Sequence, residues 1–272
     1  MTSSGNVHST VDPDLPCWAG YREILQGLEL PRIPTAHALT ALLPDGIVNR
    51  RGLPIRFVPA SSLAVSDYEK QIFETGEVST RENDWHDFFN ALVWCRFPSL
   101  KAALNARHHQ QLKSATCGQR GAVRDALTLL DESGVIVTGT DPVLLQALAD
   151  KDWFNAFVAH REQWRSTTRV MVCGHAILEK FLNPYKSVTA HALLLHAPAP
   201  VHVGTLDAWL GEAVGNGEML ESPACLSPLP LMGIPGWWRD GPQDEVFYND
   251  QDVFRPDSGR RPAAPVHSLS ID

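Results

Sequence analysis

The stretch DWHDFFNALVWCRFPSLKAALNARHHQ, residues 84–110, constrains the fold more than any other, because it sets histidine, aspartate and asparagine inside the most apolar helix of the chain. From Phe88 to Cys95 it reads FFNALVWC, apolar on every side of a 3.6-residue helix except at Asn90, so the spacing predicts a helix buried nearly all round. His86, Asp87 and Asn90 then crowd one end of that helix, where each needs a hydrogen-bond partner, a metal or a pocket. Asn83 and Asp84 are good N-caps, and Pro98 stops the helix near Phe97. A second helix is expected over 99–114, with Lys101, Asn105 and His108 or His109 recurring at helical spacing.

The remaining elements are shorter. Helices are expected over 17–30, 35–43 and 68–73, a strand over 53–58, a short strand or the start of a buried helix over 169–173, and a buried strand over 188–196. The apolar runs 126–130 and 135–137 flank Asp131-Glu132-Ser133-Gly134, which reads as a hairpin turn. Asp141-Pro142 opens a helix to about Asp150, WFNAFVAHREQW reads as an amphipathic helix, and further helices are expected over 174–181 and 205–214. Together these predict an α+β fold: a small mixed sheet covered by several helices, with a Pro-rich C-terminal arm wrapping the core. The expected organisation is a flexible segment 1–14, one globular domain over 15–256 and a disordered tail 257–272.

Several motifs carry a family resemblance. WHDFFNALVWCRFP followed by LKAALN, then GHAILEKFLNPYKSVTAHALLL, PLPLMGIPGWW and VFRP, resembles a bacterial family called domain of unknown function 3025, from about Tyr68 to Pro256. The resemblance implies a bacterial origin and assigns no activity, cofactor or catalytic residue.

Composition narrows the function classes. With 272 residues, 44% of them hydrophobic, the chain is long enough for a large core, and disorder or coiled coil is excluded as its main theme. A net charge of −8 argues against a general nucleic-acid binder. Cys17, Cys95, Cys117, Cys173 and Cys225 are scattered, odd in number and without a CxxC, so reduced thiols are expected. The start lacks a basic, apolar leader and no run approaches the length of a membrane helix, so a cytoplasmic protein without membrane contact is expected. The residues carry no signal for oligomeric state.

No P-loop, HExxH, GxSxG or EF-hand loop is present, so any chemistry is a matter of constellation. His86 and Asp87, with His175 and Glu179 four apart on one later helix, are the candidate catalytic residues. His86, His175, Glu179 and His191 are the candidate ligands for a divalent metal, since imidazole and carboxylate suit zinc, iron or manganese. Glu179 is expected to share a pocket with His175 and to be poorly exposed. Lys101 and Lys186, each beside an apolar run, are the candidate contacts for a small anionic substrate. One reading is therefore a metal-dependent hydrolase acting on a small anion. The alternative is a non-catalytic binding or scaffold protein whose His/Asp/Asn cluster is structural, with His108-His109 on a solvated helix face.

Overall fold

The computed structural model describes residues 11–60, 65–114, 121–259 and 262–270. Its spine is α4, Trp85–Arg96, in which every residue from Phe88 to Cys95 is buried. Asp84 caps it by accepting from the Asp87 N–H at 3.0 Å, and Phe97 ends it where Pro98 begins α5, Pro98–Ser114. Residues 100 to 109 of α5 are buried without a break, which includes Lys101, Asn105, His108 and His109. His109 stacks on Phe73 with ring centroids 4.3 Å apart. The expected solvated face is thus interior, because the polar residues of α5 are shared between helices packed on both of its sides.

Short elements precede the spine. They are α1, Arg22–Gln26; α2, Ala36–Leu42, capped by Thr35; β1, Arg56–Pro59; and α3, Val65–Thr75. Beside β1 runs β2, Glu77–Thr80, as a separate parallel pair in which Arg56 and Glu77 face each other as an ion pair of 2.9 Å.

Helix α6, Ala122–Ser133, runs directly into β3, Gly134–Gly139. The expected hairpin across residues 131–134 does not form. Ala126, Leu127 and Leu130 are the buried residues of an amphipathic helix, and Gly134 opens a strand that is interior along its whole length. The sheet continues with β4, Thr168–Val172, antiparallel to β3, and β5, Thr189–His196, parallel to it. Between β3 and β4 lie α7, Pro142–Ala149, and α8, Gln163–Ser166. The amphipathic helix expected over 153–164 is broken. Both the backbone N–H and the Nδ1 of His160 meet the Asn155 carbonyl at 3.0 Å, which closes a wide turn before α8 and leaves Phe154 exposed.

Between β4 and β5 is α9, His175–Lys180, and after β5 comes α10, Val203–Gly215. Asp207 of α10, itself buried, accepts from the first N–H groups of α5 at Ser99 and Leu100, both at 2.9 Å, and so supplies the cap that Phe97 cannot. Beyond α10 the chain adds an edge strand, β6, Ser227–Pro230, antiparallel to β5. It continues through α11, Glu245–Tyr248, and ends in β7, Val266–Ser268, parallel to β5. The sheet is therefore mixed, with order β4-β3-β5-β6 and β7 also on β5, and the fold class is α+β.

Residues 266–268, expected within a disordered tail, hydrogen-bond to the sheet, and Leu269 is buried behind them. Of the expected mobile segment 1–14, residues 1–10 lie outside the described residues, as does Cys117. In the segment after β6, Tyr248 and Phe254 pack with Phe157, Phe247 packs on both of them, and the Tyr248 hydroxyl donates to the Gly233 carbonyl at 2.9 Å.

Candidate metal centre

Three helices converge at the N-terminal end of β3. The last turn of α6 brings Asp131 and Glu132, the first turn of α4 brings His86, and α9 begins at His175. They meet because two glycines let the backbone cross: Gly174 N–H donates to the Gly134 carbonyl at 2.8 Å, beside a second bond from Cys173 N–H at 3.1 Å. A side chain on Gly174 would collide with the Gly134 and Ser133 backbone, so this approach admits glycine alone.

The result is a triangle of ligand atoms. His86 Nε2 lies 3.0 Å from His175 Nε2 and 3.9 Å from Glu132 Oε2, and the third edge, His175 Nε2 to Glu132 Oε2, is 3.4 Å. A point equidistant from the three atoms is about 2.0 Å from each, the length of a zinc–imidazole or zinc–carboxylate bond.

Proton bookkeeping points the same way. Glu179 Oε2 sits 3.1 Å from His86 Nδ1; if that nitrogen carries the proton, the carboxylate fixes the tautomer and leaves Nε2 a bare lone pair. On the other ring, Nδ1 of His175 is buried without a hydrogen bond, and Asp131 Oδ2 stands 4.0 Å from it. With Nδ1–H on both rings, two lone pairs confront each other at 3.0 Å, an arrangement that calls for a cation between them. Burial pushes the His175 imidazole down to about 4, so it is neutral at pH 7, as a ligand must be. Burial would raise Asp131, but the Lys101 ammonium at 2.6 Å outweighs it and holds the carboxyl below its ordinary value. Glu132 is shifted upward, first by burial and then by the neighbouring Asp131 charge.

The remaining sequence candidates fall elsewhere. Asp87 turns away from the triangle to Arg81, which meets both of its oxygens at 2.8 and 3.0 Å. Although burial opposes it, Arg81 keeps the Asp87 carboxyl below its usual range. His191 bonds Ser133 Oγ at 2.9 Å through Nδ1 and is not part of the triangle. Glu179 does face His86, yet its side chain is 46% exposed rather than enclosed. Lys101 is buried on Asp131, and Lys186 is tied to Asp250 at 2.6 Å while lying over the Phe247 ring. Neither lysine faces the triangle as a free cation. Asn90 donates to the Tyr68 hydroxyl at 3.0 Å. Glu132 is not among the sequence candidates, because Asp131-Glu132-Ser133-Gly134 reads as a turn in isolation, whereas Glu132 lies in the last turn of α6.

Comparison with known proteins gives one family match: a family model described as "Protein of unknown function (DUF3025)" covers residues 55–258. No curated protein and no solved structure matches the chain.

Proposed function

The chain belongs to the DUF3025 family, whose description names no reaction, and we propose from its geometry that it is a divalent-metal protein with a hydrolytic centre at His86, His175 and Glu132. The observation that carries this reading is the triangle of two imidazole nitrogens and one carboxylate oxygen, sized for a first-row ion. Three protein ligands leave a further position, and the side chains of His86 and Glu132 are 32% and 42% exposed, so that position faces solvent. This is the pattern of a catalytic site; structural zinc sites close all four positions with protein.

Around the ligands, Glu179 orients His86 and Asp131 stands behind His175, as outer carboxylates do for metal-bound histidine. A divalent ion held there supplies Lewis acidity to a substrate oxygen. No free lysine or arginine is needed for a small anionic substrate, because the ion itself is the positive charge at the site. The second reading, a scaffold in which an ion clamps the fold, is favoured by one observation: the ligands come from three separate helices.

Elemental analysis of protein purified without chelator or metal-affinity tag tests the centre. We expect about one equivalent of zinc, iron or manganese per chain, lost in His86→Ala, His175→Ala and Glu132→Gln. Metal-free wild-type protein that also fails to bind added zinc or manganese sinks the reading. Hydrolysis of ester and phosphoester panels by the metal-loaded chain, abolished by Glu132→Gln, separates the enzyme from the scaffold.

A further inference from the structure

Behind His175, between α3, α5 and α6, lies a small cavity of about 10 Å³ lined by Tyr68, Glu69, Trp94, Lys101, Asn105 and Asp131 among others. That is the room one water molecule needs. Two of its lining residues hold buried polar atoms with no hydrogen-bond partner: the Nε1 of Trp94, a donor, and the Oδ1 of Asn105, an acceptor. Trp94 is 1% and Asn105 3% exposed, so bulk solvent satisfies neither. An orphaned buried donor or acceptor carries the full desolvation cost of its group.

The lining decides what the occupant is. Lys101 already places an ammonium there, 2.6 Å from Asp131 and over the Trp94 ring, which disfavours a second cation. Glu69, held by Asn105 Nδ2 at 2.6 Å, and Asp131 disfavour an anion. A ligand that donates to Asn105 and accepts from Trp94 at this size is water.

We propose that this cavity is a hydration site holding one ordered water, bonded to Trp94 Nε1 and Asn105 Oδ1, that joins Glu69 to the Lys101–Asp131 pair. The link to Glu69 runs through Asn105, which holds that carboxylate at 2.6 Å, and Lys101 in the same lining is paired with Asp131, whose second oxygen faces His175 Nδ1. Burial first, and the Asp131 charge second, push the Glu69 carboxyl up to about 7, in keeping with a carboxyl enclosed in such a compartment. Its role is positional. It keeps a fixed, charge-balanced acceptor on the buried side of His175, while Glu179 on the exposed side of His86 stays free to adjust. Only this last link rests on the metal-centre reading; the water itself does not.

The test uses the full chain without metal, so that its failure is distinct from a failure to bind metal. A high-resolution crystal structure is expected to show one density peak within hydrogen-bond distance of Trp94 Nε1 and Asn105 Oδ1. In solution, the Trp94 indole proton, assigned by its absence in Trp94→Phe, is expected to give a cross-peak to long-lived water. If Trp94→Phe does not fold, indole-nitrogen assignment by triple-resonance experiments on the wild type replaces it. A dry cavity, or a Trp94 indole bonded to a protein acceptor with no water cross-peak, overturns the proposal.

Discussion

His86 Nε2 and His175 Nε2 stand 3.0 Å apart, with the two rings nearly perpendicular, although the residues are 89 positions apart in the chain. With Nδ1–H on both rings, neither partner gains stability from facing the other's lone pair. His86→Ala should therefore leave the melting temperature of the metal-free protein unchanged or slightly raised, while stoichiometric metal is lost. A variant that melts well below wild type, with its metal content intact, marks the pair as structural.

Asn90 behaves oppositely. It is 6% exposed and donates to the half-buried Tyr68 hydroxyl at 3.0 Å, so Asn90→Ala takes away that hydroxyl's donor. A loss of roughly 1–3 kcal/mol is expected from denaturant melts, with no change in metal content.

Gly174→Ala should disrupt the crossing of α6 and α9, because a Cβ meets backbone that cannot rotate away. A destabilisation of roughly 1–3 kcal/mol or more is expected, together with weakened metal binding. Gly20→Ala is the control: nothing lies within 4 Å of a Cβ there, so a change within about 0.5 kcal/mol is expected.

Asp207→Ala removes the carboxylate that accepts from Ser99 and Leu100 N–H at the start of α5. A buried donor at Leu100 and a part-buried one at Ser99 lose their acceptor, and the expected cost is roughly 1–3 kcal/mol. Asp207→Asn, which keeps one acceptor, should recover part of it.

The Glu69 carboxyl gives stability a pH dependence of definite sign. Its pKa is near 4.5 in the unfolded chain and is pushed up to about 7 in the fold by burial and by Asp131. Below the first value both states are protonated and Glu69 contributes nothing. Between the two values the folded state keeps a proton that the unfolded state has released, so stability falls as pH rises, by at most about 1.4 kcal/mol per unit. Above about 7 the penalty is complete and constant. Chemical denaturation from pH 4 to 8 should show Glu69→Gln losing this component, and parallel curves for the two proteins defeat it.

What the sequence disclosed followed local rules. The burial of α4, its Asp84 cap and its stop at Pro98 come from spacing and backbone chemistry within a dozen residues, and all are visible in FFNALVWC and its flanks. The convergence of His86 and His175 could be raised as a question but not answered, since no local rule relates residues 89 positions apart. Glu132 was lost through turn chemistry. Asp-Glu-Ser-Gly is good turn material, yet Ala126, Leu127 and Leu130 already stood at helical spacing, and heeding that pattern would have put Asp131 and Glu132 at a helix end. The lysines failed for another reason: whether a cation is free depends on distant carboxylates, here Asp131 and Asp250.

The proline content of β6 has a consequence for how copies of this chain can meet. Pro228 and Pro230 occupy alternate positions of a four-residue edge strand and have no N–H to offer a newcomer, and the three-residue β7 beside it is short. At the opposite margin, β4 has no proline and lies outermost. Within this sheet the two margins are therefore unequal as templates for a further strand: the β6 margin lacks two of the donors that a ladder needs, and the β4 margin lacks none to proline.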